Sequence, residues 1–221
     1  VASRTEAVHM TPAHFGALGQ ALAWEGWAVD VVPYGTPVTP EALAGAGLVV
    51  VLPVVDYPPP GGGAPYDERF SAGEAAALAG YARDGGLLVL AGSGALLRYG
   101  TTTYAENEDW NDVNDVAGAL GVTFAGVNLP GRTASVTASH PLVAGVGALS
   151  LVESNGLSVR AAGGTVLARA GAEPAAVVVA AGSGGEVLAL GDVGLLGGRG
   201  AAPNLPFFRN LARYGRERTA R

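Results

Sequence analysis

Ser93 is the residue of this 221-residue chain whose surroundings are most typical of a catalytic nucleophile. It lies in the stretch GLLVLAGSGALL, residues 86–97, where an apolar run breaks at Gly-Ser-Gly and then resumes. That pattern predicts a strand, a sharp turn and a helix, and a nucleophile there needs a base and oxyanion donors. The local sequence A-G-S-G-A differs from the G-x-S-x-G of hydrolases. We therefore favour the alternative in which Ser93 only caps the helix.

A second candidate is an acidic segment that could bind a cation. Five carboxylates and three amides fall between residues 106 and 115, a density of oxygen ligands suited to Ca²⁺. The spacing is not that of an EF-hand loop, and no glycine turns the segment in its middle. We favour acid enrichment at a helix N-terminus, where the helix dipole stabilises negative charge, and predict no metal and no cofactor. The minor candidates for metal ligands are Glu108, Asp109 and Asp112.

The three histidines are the only imidazole bases of the chain. His9 and His14 are five residues apart, which does not place them on one helix face, and no H-E-x-x-H pattern is present. His140 lies in the stretch SHPLVAG and is a minor catalytic candidate. We predict structural roles for all three.

Several segments are predicted to meet at the carboxyl end of a sheet, where open α/β folds bind ligands. The loop DYPPPGGGAPYDERF, residues 56–70, follows a buried strand and is too rich in Pro and Gly to be regular. The Gly-Ser-Gly turn follows the next strand, and the acidic segment follows that turn. The pocket candidates from these three segments are Asp56, Tyr57, Gly92, Ser93, Gly94, Trp110 and Asn111.

Helices and strands alternate in the first 95 residues. Thr11-Pro12 and Thr39-Pro40 begin helices, and Ser71 with Glu74 forms a capping box that begins another. Strands are predicted over residues 27–32, 47–55 and 87–91. This order implies βαβ crossovers and a parallel sheet. After a helix that ends at Gly121, short strands joined by glycine turns predict hairpins, and a helix over residues 204–214 closes the domain.

The order of these segments resembles the class I glutamine amidotransferase-like superfamily. The likeness rests on GWAVDVV, TPEALAGAGLVVVLP, FSAGEAAALAGYARDGGLLVLAGSG, NDVNDVAGALGVTF, SHPLVAGV and GEVLALGDVGLL with NLPFFRNLARY, which together cover most of the chain. It is closest to a mostly non-enzymatic branch that includes ThuA-like proteins, the middle domain of some β-galactosidases, and gliding-motility and intraflagellar-transport proteins. The resemblance implies a three-layer α/β sandwich, flavodoxin-like, with a mostly parallel sheet and a β-rich C-terminal half. We expect one domain over residues 1–215 and a tail over 216–221.

The resemblance also says which catalytic groups are missing. In the amidotransferase enzymes a Cys stands on the turn near Ser93, and a His and a Glu that follow a later strand activate it. This chain has no Cys, and Asp192 stands roughly where the His-containing motif would be. An Asp there is a pocket candidate and a minor catalytic candidate, because it can accept a hydrogen bond but is a poor base at neutral pH.

Composition narrows the function classes. The net charge of −6 and the scattered arginines argue against nucleic acid, and no apolar run approaches the ~18 residues that span a membrane. We predict a non-catalytic ligand- or partner-binding or structural module, within a larger envelope-associated or secreted protein or complex. One alternative is a serine hydrolase or amidase that uses Ser93. Another is a carbohydrate-binding domain, with an aromatic set of Trp110, Tyr57, Tyr99 and Tyr104.

Overall fold

The computed structural model describes residues 15–32, 35–53, 69–92, 113–151, 156–197 and 202–219. The α-helices in these ranges are α1 (Gly16–Trp24), α2 (Pro40–Leu43), α3 (Ala72–Arg83), α4 (Asn114–Ala117) and α5 (Leu205–Thr219). The strands are β1 (Leu48–Val51), β2 (Leu87–Ala91), β3 (Val122–Asn128), β4 (Thr133–Val136), β5 (Ala148–Ser150), β6 (Leu157–Ala161), β7 (Thr165–Ala170), β8 (Glu173–Ala181) and β9 (Gly185–Leu190).

Seven strands form a mixed sheet in the order β1-β2-β9-β8-β7-β4-β5, and β3 pairs with β6 in a separate two-stranded sheet. Only the β1–β2 and β2–β9 pairs are parallel, whereas the other four pairs of the large sheet are antiparallel. The predicted three-layer sandwich with a mostly parallel sheet is therefore wrong, and the fold is rich in sheet. Gly171, Gly182 and Gly184 adopt positive φ in the short β7–β8 and β8–β9 turns. Such turns join antiparallel neighbours, because a parallel crossover needs a dozen residues or more.

The helix before β2 begins and ends through local chemistry. The Ser71 side chain accepts from the Glu74 N–H, and the Glu74 carboxylate accepts from the Ser71 N–H, which confirms the predicted capping box. Glu74 also accepts from the Val38 N–H at 3.0 Å, so one buried carboxylate fixes the start of α3 and the chain before α2. Gly185 then lets β9 approach α3, because a Cβ there would lie 1.6 Å from the Ala82 carbonyl oxygen.

The large sheet separates two hydrophobic clusters. Along β2, Leu87 and Val89 face one cluster and Leu88 faces the other, as the two-residue period of a strand requires. The first cluster contains the apolar faces of α1 and α5. The second contains residues of α3, α4 and the β3–β6 pair, so strands cover part of this face.

Two predicted elements differ from the structure. Residues 27–31 form no strand; Val29 and Val31 are exposed, and only Val32 makes an isolated bridge. Trp27 instead turns inward, and its Nε1–H donates to the Ala212 carbonyl at 3.0 Å. The closing helix continues beyond Tyr214 to Thr219. The helix that ends at Gly121 is confirmed as α4 followed by a 3-10 turn, with Gly121 at φ 73°.

Candidate functional site

Gly92 stands at the carboxyl end of the parallel strands, where the sequence predicts a ligand site. Its N–H donates to the Leu190 carbonyl, and its carbonyl accepts from the Val193 N–H, both at 2.8 Å. A Cβ at this position would lie 2.5 Å from the Phe124 ring. Gly92 is therefore held between the end of β9 and strand β3, and the close approach requires a glycine.

Asp192 lies just past the end of β9 and is buried, with 1% of its surface exposed. Its Oδ1 accepts from the Gly194 N–H at 2.8 Å, which makes it the N-cap of the 3-10 helix Val193–Leu195. The backbone beside it is tightly packed, because a Cβ on Gly156 would lie 3.1 Å from the Asp192 Cβ. The carboxylate thus already has a structural partner at this strand end.

Strand β6 brings a polar residue to this end that sequence reasoning missed. The Leu157 N–H donates to the Gly191 carbonyl at 2.7 Å, so β6 runs beside the residue that precedes Asp192. The next residue, Ser158, is fully buried, and its Oγ has no hydrogen-bond partner. The available signal was a lone hydroxyl within the apolar strand LSVRA, which is weak because serines are common in strands and turns alike.

His140 lies at the opposite end of β9. Its Nδ1 accepts from the Leu142 N–H at 3.2 Å, capping the 3-10 helix Pro141–Val143, and its ring meets Tyr214 edge-on at 5.4 Å. The Tyr214 hydroxyl donates to Glu186 Oε2 at 2.7 Å. Glu186 precedes Leu190, the partner of Gly92, by four strand residues, or about 13 Å. The structure therefore does not bring His140 and the Gly92 turn together.

Burial lowers the pKa of His140 below its ordinary value, and the negative charge of Glu186 partly opposes this effect. Burial and the bond to Glu186 raise the pKa of Tyr214. Glu186 is also 3.3 Å from Arg218, so a connected polar cluster lies at the amino end of β9. No sequence pattern had indicated it.

Most of the predicted site residues lie outside the described ranges and stay predictions. Within the described residues, no three His, Asp or Glu side chains group in a way that could hold a metal ion. No helix in that part of the chain has the length and apolar character needed to cross a membrane. The residues outside are Asp56, Tyr57, Ser93, Gly94, Tyr99, Tyr104, Glu108, Asp109, Trp110, Asn111 and Asp112.

No protein-family model matches the chain, and no curated protein matches it, but several solved structures do. The mmIFT52 N-terminal domain aligns over 96% of this chain and 94% of its own, with a TM-score of 0.67 and 16% identity. Cytoplasmic protein STM1381 from Salmonella typhimurium LT2 aligns over 90% and 86%, with a TM-score of 0.62 and 19% identity. A putative GMP synthase protein from Thermoplasma acidophilum aligns over 95% and 91%, with a TM-score of 0.58 and 13% identity.

At these identities the comparisons show a shared fold. The chain has the fold of an amidotransferase-like protein and of the IFT52 domain, over nearly its whole length. Fold does not fix function, because unrelated functions recur on one scaffold. The function must therefore be argued from the site.

Proposed function

We propose that this chain is a non-catalytic amidotransferase-like domain that acts as a binding or structural module for a ligand, a protein partner or a neighbouring domain. We further propose that it belongs to a larger envelope-associated or secreted protein or complex. The composition supports this setting, because 49% of the residues are hydrophobic and only 14% are charged. A domain of that composition has much apolar surface to place against a partner.

The observation that carries the non-catalytic proposal is the hydrogen bond of Asp192. By resemblance, this residue stands near the place of the catalytic His motif, and its Oδ1 accepts from the Gly194 N–H. A catalytic base must be free to take a proton from the nucleophile. A buried carboxylate engaged in a helix cap is suited to holding the loop after β9.

The surroundings of His140 also support the proposal. A serine nucleophile needs a base within hydrogen-bond reach, and imidazole is the usual one. The described imidazole, His140, uses Nδ1 to accept from Leu142 and contacts α5 through Tyr214. Its position at the amino end of β9 is unfavourable for activating a group on the turn after Gly92.

Labelling with a serine-directed fluorophosphonate tests the proposal against the hydrolase alternative. We expect no labelling of the wild-type chain beyond that of the Ser93→Ala variant, while a known serine hydrolase is labelled in the same mixture. Asp192→Asn retains an oxygen that can cap the helix, so we expect it to fold with a loss of less than about 1 kcal/mol. Labelling that disappears in both variants, while both remain folded, would show that Ser93 is a working nucleophile.

Glycan-array binding separates the carbohydrate alternative from binding of a protein partner or another ligand. If the domain binds sugars through the predicted aromatic set, binding should be present in the wild-type chain and lost in Trp110→Ala, because aromatic faces stack on sugar rings. Binding that survives this substitution would count against the carbohydrate alternative.

A further inference from the structure

A cavity of about 590 Å³ lies at the amino end of the parallel strands, opposite the candidate site. Helix α3 forms one wall, the chain over residues 43–47 forms another, and the end of α5 closes it. Its volume lies within the range of roughly 300–1,000 Å³ that is typical of small-molecule sites. Gly73, Ala76, Ala77 and Gly80 line it from α3 at helical spacing.

Two helix glycines keep this cavity open at a cost to stability. A glycine within a helix costs roughly 0.5–1 kcal/mol relative to alanine. No atom lies within 4 Å of a Cβ built on Gly80, and only the Ser71 Oγ, at 4.0 Å, is near one built on Gly73. Internal packing therefore requires neither glycine, unlike Gly86, where a Cβ would lie 2.3 Å from the Tyr81 ring. Side chains at Gly73 and Gly80 would instead extend into the cavity.

Two hydrogen-bond donors without partners lie at one end of the cavity. The Tyr81 ring packs against Gly86, and the Tyr81 hydroxyl is buried without a hydrogen-bond partner. Burial raises the pKa of Tyr81 to about 12, although the Leu87 backbone and the charge of Arg218 partly oppose it. The hydroxyl therefore keeps its proton and remains a donor at neutral pH.

Arg218 supplies the second unpaired donor. Its guanidinium forms an ion pair with Glu186 at 3.3 Å and donates to the Gly184 carbonyl. Its Nε is buried and has no partner. An unpaired buried donor costs about 1–3 kcal/mol, so one acceptor oxygen that reaches both donors would recover part of that cost.

We propose that this cavity binds a compact neutral molecule through a carbonyl or amide oxygen. The oxygen would accept from Tyr81 and Arg218, and the body of the ligand would lie against Gly73 and Gly80. A neutral group fits better than a carboxylate, because Glu186 already balances Arg218 and Asp84 adds a negative charge at the cavity. Both donor atoms are screened from solvent, so the Tyr81 ring must tilt away from Gly86 on binding.

The test is a protein-observed NMR titration of the full chain with 2-pyrrolidinone and ε-caprolactam, with cyclopentanecarboxylate as the charged comparison. We expect saturable shifts of the amide signals near Gly80, Gly86 and Arg218 with the two lactams, and binding at least about tenfold weaker with the carboxylate. Absence of saturable shifts at these positions, or tighter binding of the carboxylate, would overturn the proposal.

Two variants and one matched control locate the binding. Gly80→Leu should fill the cavity and weaken lactam binding by at least about tenfold, whereas Gly19→Leu should not change it. Gly19 is the matched control because it is also a helix glycine with no atom within 4 Å of a built Cβ. Tyr81→Phe should weaken binding by about three- to tenfold through loss of one donor. Binding by Gly80→Leu as tight as by the wild type would exclude this cavity, whatever the result of Ser93 labelling at the other end of the sheet.

Discussion

The side chain of Asn204 pairs with the backbone of Ser150 in the way that a neighbouring strand would. Its Oδ1 accepts from the Ser150 N–H at 2.8 Å, and its Nδ2 donates to the Ser150 carbonyl at 2.9 Å. The same Nδ2 donates to the Leu195 carbonyl at 3.1 Å, and Asn204 is fully buried. Ser150 ends β5, the outermost strand of the large sheet, so one amide closes part of an edge that could otherwise pair with another chain.

Replacing Asn204 with alanine should expose this edge. Asn204→Ala leaves the Ser150 N–H and two carbonyls without partners, and we expect the free energy of unfolding to fall by about 2–4 kcal/mol. Urea unfolding measures this loss, and light scattering measures the self-association that an open edge should promote. The control is Asn210→Ala, which removes bonds to the Leu142 and Ala144 carbonyls at a more exposed position and should cost about 1 kcal/mol or less. Equal losses in the two variants would contradict the edge-closing role.

Glu74 should contribute more to stability than its position in a helix cap alone suggests. Its Oε2 accepts from the Ser71 N–H and hydroxyl, at 3.0 and 2.6 Å, and its Oε1 accepts from the Val38 N–H. Glu74→Gln replaces one acceptor oxygen with a donor that faces other donors, so we expect a loss of about 1–3 kcal/mol in urea unfolding. Thr39→Ala is the control, because it removes one exposed capping bond to Ala42 and should cost about 0.5–1 kcal/mol. A Glu74→Gln loss no larger than this would mean that the buried contacts add little.

Two glycines at opposite ends of the α3–β9 contact should respond to alanine in opposite directions. Gly185→Ala places a Cβ 1.6 Å from the Ala82 carbonyl oxygen, so β9 and α3 must separate, and we expect a loss of about 3 kcal/mol or more. Gly80→Ala meets no atom within 4 Å and should stabilise the protein by about 0.5–1 kcal/mol. Thermal unfolding followed by circular dichroism ranks both variants against the wild type. A neutral Gly185→Ala would show that this close approach is not required.

Stability should fall with pH through His140. Burial lowers its pKa in the folded protein below the ordinary 6.5, so the unfolded chain takes up a proton at higher pH than the folded chain does. Unfolding therefore becomes easier as the pH falls below about 6.5, until the pH also passes the folded-state value. His140→Asn keeps an acceptor for the Leu142 N–H but cannot titrate in this range. Urea unfolding at about pH 8 and about pH 5.5 should give a smaller pH difference for the variant than for the wild type; an unchanged difference would assign the effect to other groups.

Local chemistry made several elements predictable from the sequence. The Ser71–Glu74 capping box, the helix end at Gly121 and the hairpin turns after β7 and β8 each depend on residues within a few positions of one another. Gly92 could likewise be identified as a turn glycine at the carboxyl end of a buried strand. The overall likeness to amidotransferase-like folds followed from the order of such local signals along the chain.

Only the tertiary structure decided which strands pair and which polar groups meet. An apolar run indicates that a strand is buried, but it carries no information on its neighbour, so the sequence favoured a mostly parallel sheet where four of six pairs are antiparallel. The same limit applies to Trp27–Val32, because its apolar residues did not show that Trp27 would turn toward Ala212. The cluster of His140, Tyr214, Glu186 and Arg218 joins residues up to 78 positions apart. Contacts over that distance arise from the packing of whole elements, whereas caps and turns arise from neighbouring residues.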